Sequence, residues 1–233
     1  MAEIAERLSE VRARIEKAAA RSPFHQEVTL VAVTKFHSLS EIREAIAAGV
    51  TDVGENRVQE LEEKRRESAG TFPVRWHLQG HLQKNKVKKA VALADLIQSA
   101  DSLDILREIE KRAAEIGKVQ EVLLEFNISG EETKYGLSPG EFDEAVLLAK
   151  SLSHVRVRGL MCMAPLTEPE RVRPVFREGR KLWERLGTLF PEGEITTLSM
   201  GMTNDFEVAI EEGDDGSYRD GDFRAADAWL GKR

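Results

Sequence analysis

The residue most capable of chemistry in this chain is a lysine that directly follows an apolar run. Val28 to Val33 is nearly continuous in β-branched and aliphatic residues, and the first polar positions after it are Thr34 and Lys35. Burying an ammonium is costly unless the group is paired or neutralised. Desolvation favours the neutral amine that a Schiff base requires. A strand-end lysine whose stem snorkels to solvent has the same local pattern, and on this feature alone it is the better reading. A second segment, Ser199-Met200-Gly201-Met202-Thr203-Asn204-Asp205, runs from an expected strand end into a helical stretch, Phe206 to Glu211. Free backbone N–H groups and a helix dipole at such a junction suit an anion such as phosphate, and Gly201 lets the backbone approach it closely. An ordinary turn capped by Thr203 or Asn204 fits the segment too, and on this segment alone it is the better reading.

Other clusters carry less. His77 and His81 have helical metal-ligand spacing, but Trp76 to Leu78 reads as strand, Gly80 interrupts it, and no acidic or cysteine partner is suitably spaced, so no metal site is expected. Met161, Cys162 and Met163 read as core packing rather than a soft-metal site. Lys84, Lys86, Lys88 and Lys89 lack interleaved aromatics and read as a solvated helix face.

The elements that must position these residues alternate. Ile4, Leu8, Val11 and Ile15 recur at helical spacing, and Pro23 ends that first helix. Strands are expected at Val28 to Val33, Asp52 to Gly54, Arg75 to Leu78, Leu96 to Ser99, Glu121 to Asn127, Arg156 to Met161 and Ile195 to Ser199. Helices fall between them: Ser40 to Ala48 capped by Ser40, Val58 to Glu67, Asn85 to Leu93, Leu103 to Ile116, Pro139 to Leu152 and Glu168 to Leu189. The rhythm predicts an α/β fold, a (β/α)8 TIM-type barrel in a single domain over residues 1–233, in preference to a doubly wound sheet. No Gly-x-Gly-x-x-Gly turn follows the first strand, which removes the main argument for a dinucleotide-binding sheet. In a barrel, Lys35, Asn56, His77, Asn127 and Ser199 all follow strand ends and would gather at one mouth.

The chain has 233 residues, a net charge of -7 and a single cysteine, Cys162. The charge argues against nucleic-acid and anionic-membrane partners, and the lone cysteine allows no intrachain disulfide. With no apolar leader core and no run of membrane-spanning length, a cytoplasmic protein is expected; a monomer is the expected oligomeric state.

The motifs, in order, resemble the pyridoxal phosphate homeostasis proteins, the YggS/PROSC family. The matching segments are Ala32-Val33-Thr34-Lys35, Gly54-Glu55-Asn56-Arg57-Val58-Gln59-Glu60, Trp76-His77-Leu78-Gln79-Gly80-His81-Leu82-Gln83, Lys134-Tyr135-Gly136-Leu137, Gly159-Leu160-Met161-Cys162-Met163-Ala164 and Leu198-Ser199-Met200-Gly201-Met202. The resemblance implies a barrel like that of bacterial alanine racemase without its second domain. It implies pyridoxal 5'-phosphate (PLP) held as a Schiff base on Lys35, and a phosphate cup at Ser199, Met200, Gly201 and Met202, with Asn56 and His77 on pocket segments. It further implies a role in vitamin B6 homeostasis, in which the cofactor is buffered or delivered to PLP-dependent apo-enzymes without catalysis. A PLP-dependent, racemase-like enzyme is the alternative, and it needs a second acid/base opposite Lys35. Tyr135 and Tyr218 are the only tyrosines. A barrel kept for protein interaction alone is the third reading.

One segment departs from the family. After Glu212-Gly213 the resemblance implies a last strand containing Arg-Ile-Gly-Thr, but this chain reads Asp214-Asp215-Gly216-Ser217-Tyr218-Arg219-Asp220-Gly221-Asp222-Phe223-Arg224, too charged and glycine-rich for a central barrel strand. One choice of synonymous codons for Gly213 through Ala226, read from the second nucleotide of the Asp214 codon, translates as Thr-Met-Val-Arg-Ile-Gly-Thr-Ala-Ile-Phe-Gly-Pro. Residues 214–233 are therefore expected to be an aberrant, frame-shifted tail that disrupts the eighth strand and weakens the phosphate cup.

Overall fold

The computed structural model describes residues 2–214. After helix α1 (Ala2–Arg21), strands and helices alternate: β1 (Val31–Val33), α2 (Leu39–Ala47), β2 (Asp52–Glu55), α3 (Val58–Ser68), β3 (Arg75–Leu78), α4 (Val87–Leu93), β4 (Leu96–Ala100) and α5 (Leu103–Glu115). They continue as β5 (Gln120–Phe126), α6 (Phe142–Ser151), β6 (Val155–Cys162), α7 (Pro169–Leu189), β7 (Thr197–Ser199) and α8 (Phe206–Glu211).

The strands form one seven-stranded sheet in sequence order, and every neighbouring pair is parallel. Register shifts between β4 and β5 and between β5 and β6 accompany its curl. This is the expected TIM-type barrel with its eighth strand disrupted: β1 and β7 form the two edges of the sheet among the described residues. The tail expected to be aberrant lies, apart from Asp214, outside the described residues.

Parallel strands covered on both faces read as apolar runs, and β1 and β4 are buried along their whole lengths. The large core lies between the outer face of the sheet and the helices, where Ala32, Ile42, Val53, Leu61, Trp76 and Ile97 belong to one cluster. Each fully buried Val, Leu, Ile or Phe side chain there contributes roughly 1.5–3 kcal/mol. Inside the curl a much smaller cluster, Leu96, Leu123 and Met161, leaves room for polar residues. A third cluster joins Ile15 and Ala18 of α1 to Phe206 and Ile210 of α8, so α1 braces α8.

Local differences from expectation have local causes. α2 is capped by Ser38 rather than Ser40: Ser38 accepts from the Glu41 amide, and Glu41 reaches back to the Ser38 amide. β1 begins only at Val31. The helices expected over Asn85 to Leu93 and Pro139 to Leu152 each open with a 3₁₀ turn, Lys84–Lys86 and Pro139–Glu141, before becoming α-helical.

Candidate functional site

Lys35 stands two residues beyond the end of β1, and the residue before it is clamped on three sides. The Thr34 amide donates to the carbonyl of Gly54 at 2.9 Å. Its hydroxyl donates to Glu55 Oε1, and its carbonyl accepts from Lys64 Nζ on α3. Lys64 Nζ also lies 2.6 Å from Glu55 Oε1, with the carboxylate fully buried. Burial pushes the Glu55 carboxyl above its ordinary range even against the opposing pull of Lys64 and Thr34. Thr34 thus faces the helices, and the pleat turns Lys35 to the opposite face, in line with Val31 and Val33. Lys35 is half-buried, and among the described residues its amine has no hydrogen-bond or ion-pair partner. Phe36 follows in a left-handed conformation, φ 65°, with its ring 78 % exposed. An aromatic residue there is strained by roughly 1–3 kcal/mol, which the surrounding turn must offset.

Around the same mouth, polar atoms are buried without partners among the described residues: Asn56 Oδ1 just past β2, and both amide atoms of Gln79 just past β3. Gln79 was not singled out from sequence. The signal for it was the alternation of Arg75, His77 and Gln79, which carries one face of β3 past the strand end.

His77 corrects an expectation. Both ring nitrogens are taken, Nε2 lying 3.0 Å from Asp52 Oδ1 and Nδ1 2.8 Å from Gln98 Nε2, while Ser199 Oγ donates to Gln98 Oε1 at 2.8 Å. With Nε2 protonated, every hydrogen bond in this Asp52–His77–Gln98–Ser199 chain is satisfied in one tautomer. His77 lines a cavity of about 240 Å³ with Asp52, Arg75, Leu96 and Thr197, the first residues of β2, β3, β4 and β7. It therefore faces the N-terminal end of the strands and not the mouth. Burial pushes the His77 ring below 6.5, and the Asp52 carboxylate only partly offsets that. Burial alone would raise the Asp52 carboxyl, but hydrogen bonds from His77 and Thr51 outweigh it and hold the group below 3.8.

Asn127 also differs. Its side chain folds over its own loop, donating to the Glu131 carbonyl at 2.8 Å and accepting from the Gly130 amide at 3.1 Å. It organises that loop and does not reach into the mouth. The loop brings Tyr135 flat against His81, ring centroids 3.6 Å apart, and His81 Nδ1 lies 2.6 Å from Asp101 Oδ2. No group of three or more metal-ligating side chains occurs among the described residues.

Ser199 ends β7 and is fully buried. Beyond it the Met200 amide donates to Asp214 Oδ1 at 3.1 Å and the Gly201 amide to Asp214 Oδ2 at 3.2 Å. The Met202 amide donates to Asp205 Oδ1 at 2.7 Å. The N-cap of α8 is Asp205, not Thr203 or Asn204. A Cβ on Gly201 would lie 2.7 Å from the Phe206 Cα, so only glycine fits between the turn and α8. The backbone donors expected to hold an anion are therefore holding carboxylates. The sequence did not mark Asp214 as a contact of this turn.

A curled sheet of parallel strands, with a lysine uncommitted among the described residues after the first and a turn whose amides hold carboxylates after the seventh, puts the chain in the class of alanine-racemase-type barrels. The sequence profile described as alanine racemase, N-terminal domain, matches residues 7–214. A pyridoxal phosphate homeostasis protein of Aquifex aeolicus is 42% identical over 210 residues, spanning 89% of this chain and 91% of that protein. The Escherichia coli protein of the same name is 39% identical over 220 residues, with 91% and 92% covered. Among solved structures, PipY of Synechococcus elongatus, determined with PLP bound, superposes with a TM-score of 0.79 at 35% identity, covering 93% of this chain and 97% of that one. Alanine racemase of Streptomyces coelicolor, 18% identical with a TM-score of 0.71 over 92% of this chain and 57% of its own, shares the fold. The chain belongs to the pyridoxal phosphate homeostasis protein family.

Proposed function

We propose that the chain, acting as one barrel domain, binds pyridoxal 5'-phosphate and serves vitamin B6 homeostasis, buffering or delivering the cofactor without transforming a substrate. The observation that carries this reading is the Lys35 amine, half-buried at a strand end and uncommitted, behind a threonine whose amide, carbonyl and hydroxyl are all fixed.

At the Lys35 end of the mouth the residues present fit the cofactor, while the cup amides of Met200 and Gly201 are held by Asp214. When bound, PLP supplies an aldehyde that condenses with a primary amine, and Lys35 is the amine at this mouth. Asn56 and Gln79 offer buried polar atoms that lack partners among the described residues. Ser199 and, once released by Asp214, the Met200 and Gly201 amides would hold the phosphate. Met202 flanks that cup, its amide already committed to Asp205. His77 would act one step away, fixing Gln98, which in turn holds Ser199. PLP-dependent apo-enzymes are the proposed recipients.

The Asp101–His81 pair stacked on Tyr135 favours the catalytic alternative, because an oriented imidazole at the mouth is suited to moving protons. Titration with PLP, followed by visible absorbance, tests the main reading. A new cofactor band in the native chain that is missing in Lys35→Ala supports it, and racemisation of an added amino acid would decide for the enzyme. We also propose that the chain from Asp214 onward is read out of frame; resequencing the gene tests this, and codons that yield no family-like strand in the neighbouring frame would remove the idea.

A further inference from the structure

Asp214 is 1% exposed, and its carboxylate lies across the amides of Met200 and Gly201 with one oxygen on each. Nothing about this placement is loose. α8 ends in a turn where the Gly213 amide donates to Ile210 and the Asp214 amide to Ala209, at 3.0 and 2.9 Å, and Gly213 adopts φ 97° to make it. Gln26 then ties the turn from the other side, its Nε2 donating to the carbonyls of Ile210 and Asp214 at 2.8 and 2.9 Å. The turn doubles the chain back over the cup, so that Asp214 Oδ2 would lie 3.0 Å from a Cβ on Gly201.

We infer that Asp214 is a specificity-determining residue of this cup: its carboxylate holds the two donors a phosphate would need and sets the site against phosphorylated ligands. The inference rests on the proposal that the cup receives the cofactor's phosphate. A carboxylate oxygen and a phosphate oxygen are both acceptors and compete for the same two N–H groups, so a phosphate can take them only by displacing Asp214. The competitor is also intramolecular. It is present at high effective concentration and must be displaced at every binding event. The aldehyde end is indifferent to this contest, so pyridoxal, which has the same aldehyde and no phosphate, pays no such penalty.

The test compares PLP, pyridoxal and inorganic phosphate on the native chain, Asp214→Ala and Asp214→Asn. Asparagine keeps the size of the side chain and removes its charge, which guards against a folding defect in the alanine variant. Binding of the two aldehydes is read at Lys35 by borohydride reduction and peptide mass spectrometry. Loss of the carboxylate is expected to tighten PLP about tenfold or more, the usual worth of a charge-assisted hydrogen bond, while pyridoxal changes less than about twofold. Inorganic phosphate should raise the melting temperature of both variants and leave the native chain where it is. Equal tightening of PLP and pyridoxal, or no tightening of PLP in either variant, would overturn the role of Asp214 and leave Lys35 as anchor. No adduct on Lys35 in any of the three chains would overturn both proposals.

Discussion

Replacing Lys64 with methionine probes the clamp that sets Lys35. Lys64 Nζ lies 2.6 Å from Glu55 Oε1, with side chains 10% and 0% exposed, so neither charge is relieved by solvent. Removing one partner of such a pair leaves the other buried and uncompensated, at a cost of about 3–5 kcal/mol. A domain of this size loses roughly 2–4 °C of melting temperature per kcal/mol, so Lys64→Met should melt about 6–20 °C lower at neutral pH. The deficit should depend on pH with a definite sign. The Glu55 carboxyl is already above 4.5 in the folded chain, and losing the cation raises it further. The folded state then binds more protons than the unfolded state, and stability falls as pH rises from 4.5. Near and below pH 4.5 the deficit should shrink towards the lost hydrogen bond to Thr34. A Glu55→Gln, Lys64→Met double variant should recover most of the loss at neutral pH. Because Lys64 also holds the Thr34 carbonyl, the single variant should label less efficiently at Lys35 with PLP. Calorimetry between pH 4 and 8 would refute the reasoning if Lys64→Met stayed within about 1 kcal/mol of the native chain throughout, the range of an exposed pair.

Three further outcomes follow from the same geometry. His77 sits folded below 6.5, so its contribution to stability is complete above that value and is lost as pH falls through it; in His77→Gln that acid-side slope of the melting profile should flatten. Phe36→Gly should raise stability by about 1 kcal/mol, since glycine accepts the left-handed backbone freely and the 78 % exposed ring gives up little burial; a lower melting temperature would contradict this. Gly201→Ala should cost about 1–3 kcal/mol and abolish the phosphate-dependent melting shift of the Asp214 variants, because its Cβ would press on the Phe206 backbone at 2.7 Å.

Much of the fold could be read from the sequence because it depends on local patterns. The apolar run ending at Val33, the helical stripe of α1 and the rhythm of the elements all follow from burial period and turn residues. What escaped was non-local. Alternation places His77 on the inner face of β3, but not which end of the barrel its ring faces; Asp52 and Gln98, on neighbouring strands, decide that. Asn127 follows a strand as expected, yet its amide prefers the carbonyls of its own loop. The polar segment after Gly213 read only as an unsuitable strand, because its first residue meets the cup through a helix-ending turn and a glutamine from the far end of the chain. The identity of the cofactor was legible through the family motifs and not through composition or spacing.

The central claim is that Lys35 anchors PLP, and site-resolved trapping tests it most directly. The native chain is incubated with PLP, reduced with borohydride, digested and mapped by mass spectrometry, with Lys35→Ala alongside. The predicted result is one dominant adduct on the peptide containing Lys35, absent from the variant, with the exposed lysines 84 and 88 labelled only weakly in both. Equal labelling of those surface lysines and Lys35, with the total unchanged in Lys35→Ala, would contradict the account.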